Sequence, residues 1–130
     1  MDELSDVSVV EALRRQLTVA ATKQTVAAGN LANVNTPGYR AKEVQFDDVL
    51  DEGLAKMTQP KATHPAHFGP EESSVEVREE SGLEPRRDGN TVQLDRELLK
   101  MTDASGEFAR AQTALSAKFR LVRYAINEGR

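Results

Sequence analysis

At 130 residues, with 21 acidic against 17 basic side chains, the chain is one small domain's worth and lacks the basic excess of a general nucleic-acid binder. Only 38% of residues are hydrophobic, with four Phe, two Tyr and no Trp, so a self-contained core over the whole length is not expected and neighbouring molecules should supply part of the stability. The absence of cysteine excludes disulfides, thiolate nucleophiles and Cys-based zinc sites.

The chain opens on Met1-Asp2-Glu3-Leu4-Ser5-Asp6, acidic where a secretory signal needs positive charge, and no apolar core of a signal peptide follows. No apolar run approaches the roughly 18 residues of a membrane-spanning helix. Residues 7–34 place Val10, Leu13, Leu17, Ala20, Ala27, Leu31 and Val34 at spacings of three, four and seven. That stripe predicts an amphipathic helix of about 25 residues, roughly 38 Å long. Ala21, Ala28 and Ala32 keep it thin, and Gly29 weakens it by about 1 kcal/mol relative to Ala.

The helix closes on Asn30-Leu31-Ala32-Asn33-Val34-Asn35-Thr36-Pro37-Gly38-Tyr39. Pro37 bars Thr36 from helical geometry, so the helix stops at or before Asn35. Pro37-Gly38 fits the central positions of a type II turn, with Gly38 at positive φ. Asn30, Asn33 and Asn35 can satisfy loose carbonyls and amides around the terminus, and Tyr39 offers a ring with a polar tip. A helix stop followed by a turn accounts for Pro-Gly, but not for three asparagines and a tyrosine at these offsets.

The middle is punctuated by Pro60, Pro65, Pro70 and Pro85. Phe46 to Leu54 reads as a short acidic helix, and Val75-Glu76-Val77-Arg78 alternates like a short strand. The formal charge of residues 40–88 is −5, against −1 before them and +2 after them, so the acidic excess sits here. His64 and His67, with Glu71 and Glu72 behind them, lie among prolines that would not aim both imidazoles one way, and no metal site is expected. Asp47, Asp48, Asp51 and Glu52 lack the loop spacing and glycine of an EF-hand and read as a solvated face.

Residues 94–127 carry Leu94, Leu98, Met101, Ser105, Phe108, Gln112, Leu115, Phe119, Val122 and Ile126 in unbroken alternation of four and three. This predicts a second helix of roughly 33 residues ending near Gly129, with Lys118, Arg120 and Arg123 near its C-terminal dipole. The predicted fold is mainly α. The two terminal helices pair antiparallel as a coiled-coil-like hairpin, with an irregular middle holding the short helix and a short β element. The divisions are 1–36, 37–92 and 93–130, with the two termini forming one structural domain. Val9, Val19, Val26, Leu99, Ala111 and Leu121 lie off the stripes and suggest further packing against other subunits. No catalytic, cofactor-binding or metal site is expected, because no nucleophile triad, phosphate loop or paired carboxylate has supporting context. From the residues alone, a soluble two-helix coiled-coil adaptor or secretion chaperone competes with a filament subunit.

The block from Asn30 to Tyr39 resembles the N-terminal signature of the flagellar rod and hook axial protein family. Arg40 to Phe46, Thr63-His64-Pro65-Ala66-His67-Phe68 and Asp88 to Glu97 are similar to the proximal-rod member of that family, so the resemblance covers nearly the whole chain. Gly29 and Gln93 depart from the family pattern, a better helix former and a capping Asp being usual there. The resemblance implies a motility protein of the bacterial flagellum basal body, exported by the type III route without a cleaved signal and assembled in the periplasmic rod. It implies self-association there, contact with FliE, FlgC, FlgF and the export gate, and neither nucleic-acid binding nor membrane insertion. The implied motif residues are Asn30, Ala32, Asn33, Asn35, Thr36, Pro37, Gly38 and Tyr39. Packing is expected through Leu13, Leu17, Leu31, Leu98, Met101, Phe108, Leu115, Phe119, Val122 and Ile126.

Overall fold

In a computed structural model of the chain, residues 3–46 and 75–128 are described. Their elements in order are helix α1 (Glu3–Ala32), strand β1 (Lys42–Phe46), strand β2 (Val75–Glu79) and helix α2 (Leu94–Glu128). The two helices have 30 and 35 residues, about 45 and 52 Å of rise. Helical stability in proteins comes mostly from tertiary packing, and these two helices lie against each other.

They pack antiparallel, as three cross-links of decreasing and increasing residue number show. Lys23 meets Glu107, Gln24 donates to the Ser105 hydroxyl, and Asn30 donates to Glu97. The buried centre of the seam is built from small side chains: Val19, Ala20 and Ala27 of α1 against Ala104 and Ala111 of α2. Alanine lets the two backbones approach closely, and the larger Val10, Leu13, Leu17, Leu31, Met101, Phe108 and Leu115 close over the flanks, half-buried.

The predicted hairpin is therefore present, but α2 is turned relative to its predicted stripe. Its inward line is Glu97, Ala104 and Ala111, seven residues apart. Leu98, Ser105, Gln112, Phe119 and Ile126 each stand one position further on, about 100° round the helix, and are exposed. The reason is steric and polar together. Alanines permit the closest contact, while the Asn30–Glu97 and Lys23–Glu107 bonds fix the rotation. Val19 and Ala111, which the sequence pattern puts off the stripes, are inside the seam.

The short β element is also present, as an antiparallel pair with register Lys42↔Glu79, Val44↔Val77 and Phe46↔Val75. Its first strand was not expected, and Phe46 ends that strand instead of opening a helix. The remainder of the predicted acidic helix, and the His64 and Asp47 clusters, lie outside the described residues. The ribbon lies against α1, with Ala41 fully buried at its base. On its exposed face the Arg78 guanidinium hydrogen-bonds Glu76 and holds that carboxyl below its ordinary range. The second helix opens at Leu94, with the Gln93 carbonyl accepting the Glu97 N–H at 3.0 Å, so the missing capping Asp does not move the start. Lys118, Arg120 and Arg123 sit before the last turn, beyond the short reach of the helix dipole.

Candidate functional site

Where α1 ends and α2 begins, the two loops interlock. The α1 terminus unwinds through short backbone bonds, Asn33 N–H to the Asn30 carbonyl at 3.1 Å and Val34 N–H to Leu31 at 3.2 Å. A turn over Thr36–Tyr39 follows, closed by the Tyr39 N–H on the Thr36 carbonyl at 3.2 Å, with Gly38 at φ 72°. The expected turn is in place. A second turn, Arg86–Gly89, is closed at 2.8 Å with Gly89 at φ 80°. The two glycines meet: a Cβ on Gly89 would sit 3.4 Å from the Gly38 Cα. Backbone bonds then stitch the loops, Gly38 N–H to Asp88 at 2.8 Å and Thr91 N–H to Tyr39 at 3.1 Å.

Two fully buried asparagines hold this arrangement. Asn30 donates through Nδ2 to the Lys42 carbonyl at 2.7 Å and to the Glu97 carboxylate at 3.0 Å. Its Oδ1 accepts from the Lys42 N–H at 2.9 Å and the Tyr39 hydroxyl at 3.3 Å. One amide thus takes the place of a strand neighbour for β1 and reaches α2 as well. Asn90 donates to the carbonyls of Asn33, Val34 and Thr36 at 2.9, 3.2 and 2.8 Å, which the end of α1 leaves without helical partners. Its Oδ1 accepts the Val92 N–H at 2.7 Å, and the Arg86 guanidinium adds a bond to Val34. Thr91 offers its hydroxyl oxygen to the Ala41 N–H at 2.8 Å.

An ionic cluster ties the ribbon to α2. The Glu80 N–H donates to the Ala41 carbonyl, and its carboxylate, almost wholly buried, pairs with Arg96 and with Lys100 at 2.6 Å. Lys100 also reaches Glu97 at 3.2 Å. Among the described residues no buried side-chain polar atom lacks a hydrogen-bond partner. Such a network fixes one arrangement, since each group left unmatched would cost about 1–3 kcal/mol.

The sequence motif divides accordingly. Asn30 and Asn33 work at the interlock, Asn33 donating to the Gly29 carbonyl at 2.8 Å, and Tyr39 is half-buried over it. Thr36 contributes its hydroxyl to Asn33 at 3.2 Å, while Ala32, Asn35 and Pro37 are exposed. Of the packing candidates, Leu13, Leu17, Leu31, Met101, Phe108 and Leu115 flank the seam; Leu98, Phe119, Val122 and Ile126 are exposed. Sequence reasoning missed Asn90, Thr91 and Glu97 as partners of the motif, and Glu80 as the centre of the ionic cluster. Asp88-Gly89-Asn90 carried a turn signal, and Glu97 stands in seven-residue register with Ala104 and Ala111. The arrangement is a joint between the two loops, built from amides, carbonyls and ion pairs.

Comparison with known proteins bears on what the joint belongs to. The family model "Flagella basal body rod protein" matches residues 11–40, from within α1 to just past the Tyr39 turn. The FlgB flagellar basal body rod protein of Bacillus subtilis is 24% identical over 93% of this chain and 95% of its own length. That of Escherichia coli is 28% identical over 87% and 88%. That of Agrobacterium fabrum is 30% identical over 81% and 82%. The chain belongs to the FlgB family. Membership assigns it a structural role in the flagellar basal body rod, as the sequence resemblance implied. The match reaches beyond the α1 motif to nearly the whole chain, interlock and α2 included. Among the described residues no helix is long and apolar enough to cross a membrane.

Proposed function

We propose that the chain is a subunit of the proximal rod that polymerises through its terminal helices and transmits torque for motility. The observation that supports this reading is the contrast between the two ends of the hairpin. Buried amides and ion pairs lock one end, where Leu94, Leu98 and Leu99 are nonetheless exposed, whereas the other end leaves a larger set uncovered: Val7, Val9, Phe119, Leu121, Val122, Tyr124 and Ile126. Large apolar side chains exposed at both ends of an elongated molecule, and most numerous at the unlocked one, suit burial by neighbours. A subunit that carries torque needs a stiff internal joint, so that load passes between copies without unfolding them. In this reading its neighbours are other copies, FliE, FlgC, FlgF and the export gate. The chain reaches the periplasm by type III export with its N-terminus uncleaved.

The test is a strain lacking its own copy of the gene, complemented by this chain, with swimming scored and basal bodies purified. Restored swimming and full-length chain within the basal bodies are expected. Swimming without the chain, or its absence from purified basal bodies, contradicts the proposal.

A further inference from the structure

The seam is not filled throughout. Beside the interlock, between α1, β1 and α2, lies a recess of about 270 Å³ floored by Val26, Ala27, Val44 and Ala104. Its rim carries two lysines that are already engaged, Lys23 with Glu107 and Lys100 with Glu80 and Glu97. Glu43 and Asp103 share that rim, and among the described residues no ion pair joins either to a cation. The recess therefore combines an apolar floor with an anionic lip. The chemistry it fits is a side chain with a long aliphatic stem and a cationic tip.

The same molecule offers that chemistry at its other end. Over residues 108–127, α2 carries Arg110, Lys118, Arg120 and Arg123 and no acidic residue. Arg120 and Arg123 are exposed beside the uncovered Phe119 and Val122. Arg120 lies seventeen residues from Asp103 on the same continuous helix, about 26 Å along its axis, too far for contact within one copy. We propose that the recess of one copy receives Arg120 or Arg123 of a second copy, with the neighbouring apolar residues covering its mouth. This rests on the self-association reading above and names the surfaces that carry it.

The test is sedimentation velocity of the purified full-length chain. The expected result is concentration-dependent association that weakens about tenfold or more in the E43K/D103K variant, and equally in R120E/R123E, because like charges then face each other. Mixing the two variants should restore association, since a basic recess then meets an acidic helix end. Because the chain has no cysteine, E43C/R123C provides a clean cross-link, and disulfide-linked pairs joining position 43 to position 123 are expected. Association unchanged by either reversal, no recovery on mixing, or cross-links only between like positions overturns the contact. Complementation separates this from the rod reading: reversals that leave association intact while the native chain restores swimming defeat the contact alone. Association as described without restored swimming defeats the rod role alone.

Discussion

Replacing Asn90 by alanine should unlock the joint. The two Nδ2 hydrogens serve three carbonyls, and each of those oxygens has a second donor: Thr36 N–H for Asn33, Arg86 for Val34 and Tyr39 N–H for Thr36. Their loss therefore removes two bonds without stranding an oxygen. The loss of Oδ1 is more serious, because it strands the N–H of the buried Val92. At about 1 kcal/mol net per bond, with an added penalty for the stranded N–H, the cost is about 3–4 kcal/mol. Asn90→Asp keeps the volume but turns a carboxylate on the three carbonyls, so it should destabilise at least as much. Urea unfolding followed by far-UV circular dichroism measures both. A loss below about 1 kcal/mol for alanine, or aspartate milder than alanine, would refute the claim that hydrogen bonds rather than volume make Asn90 necessary.

Three further expectations follow from the same geometry. Gly38→Val places a β-branched residue at φ 72° and should cost about 1–3 kcal/mol and abolish swimming, while Gly38→Asn should be milder; equal loss in a motility assay with export verified would count against the turn. Ala111→Leu should overpack the seam by about 1–3 kcal/mol in urea unfolding, whereas Gln112→Leu on the exposed face should leave intramolecular stability within about 0.5 kcal/mol. Leu115→Asp puts a charge on the half-buried flank and should abolish motility without abolishing export, as scored by swimming and by the exported fraction; normal swimming would show that this flank is buried against nothing.

Periodicity read the helices well because it needs only apolar spacing: α2 was placed from Leu94 almost to its observed end, and α1 to within a few residues. Pro37-Gly38 was legible because proline and glycine constrain the backbone whatever surrounds them. The face of α2 was not, because spacing cannot distinguish the bulky line through Leu98 and Phe119 from the small line through Ala104 and Ala111. Close approach selected the second, and Glu97, a residue that pattern reading puts in solvent, became its buried end. Strand β1 was missed because its five residues take much of their support from Asn30 and from β2, both distant in sequence. The interlock was half visible: Asn30 and Asn33 announced unsatisfied backbone, but their counterpart Asn90 lies more than fifty residues away.

In the proposed rod the hydrogen bonds of the interlock close within one copy, while neighbours bury the apolar side chains exposed at the opposite end. A helical reconstruction of the rod within intact basal bodies, at a resolution that shows side chains, tests it most directly. The expected result is Asn30 bonded to Lys42 and Glu97 of its own chain, and Phe119, Leu121 and Ile126 buried against adjacent subunits. Solvent around those three side chains, or an Asn30 that bonds across to a neighbour, would contradict it.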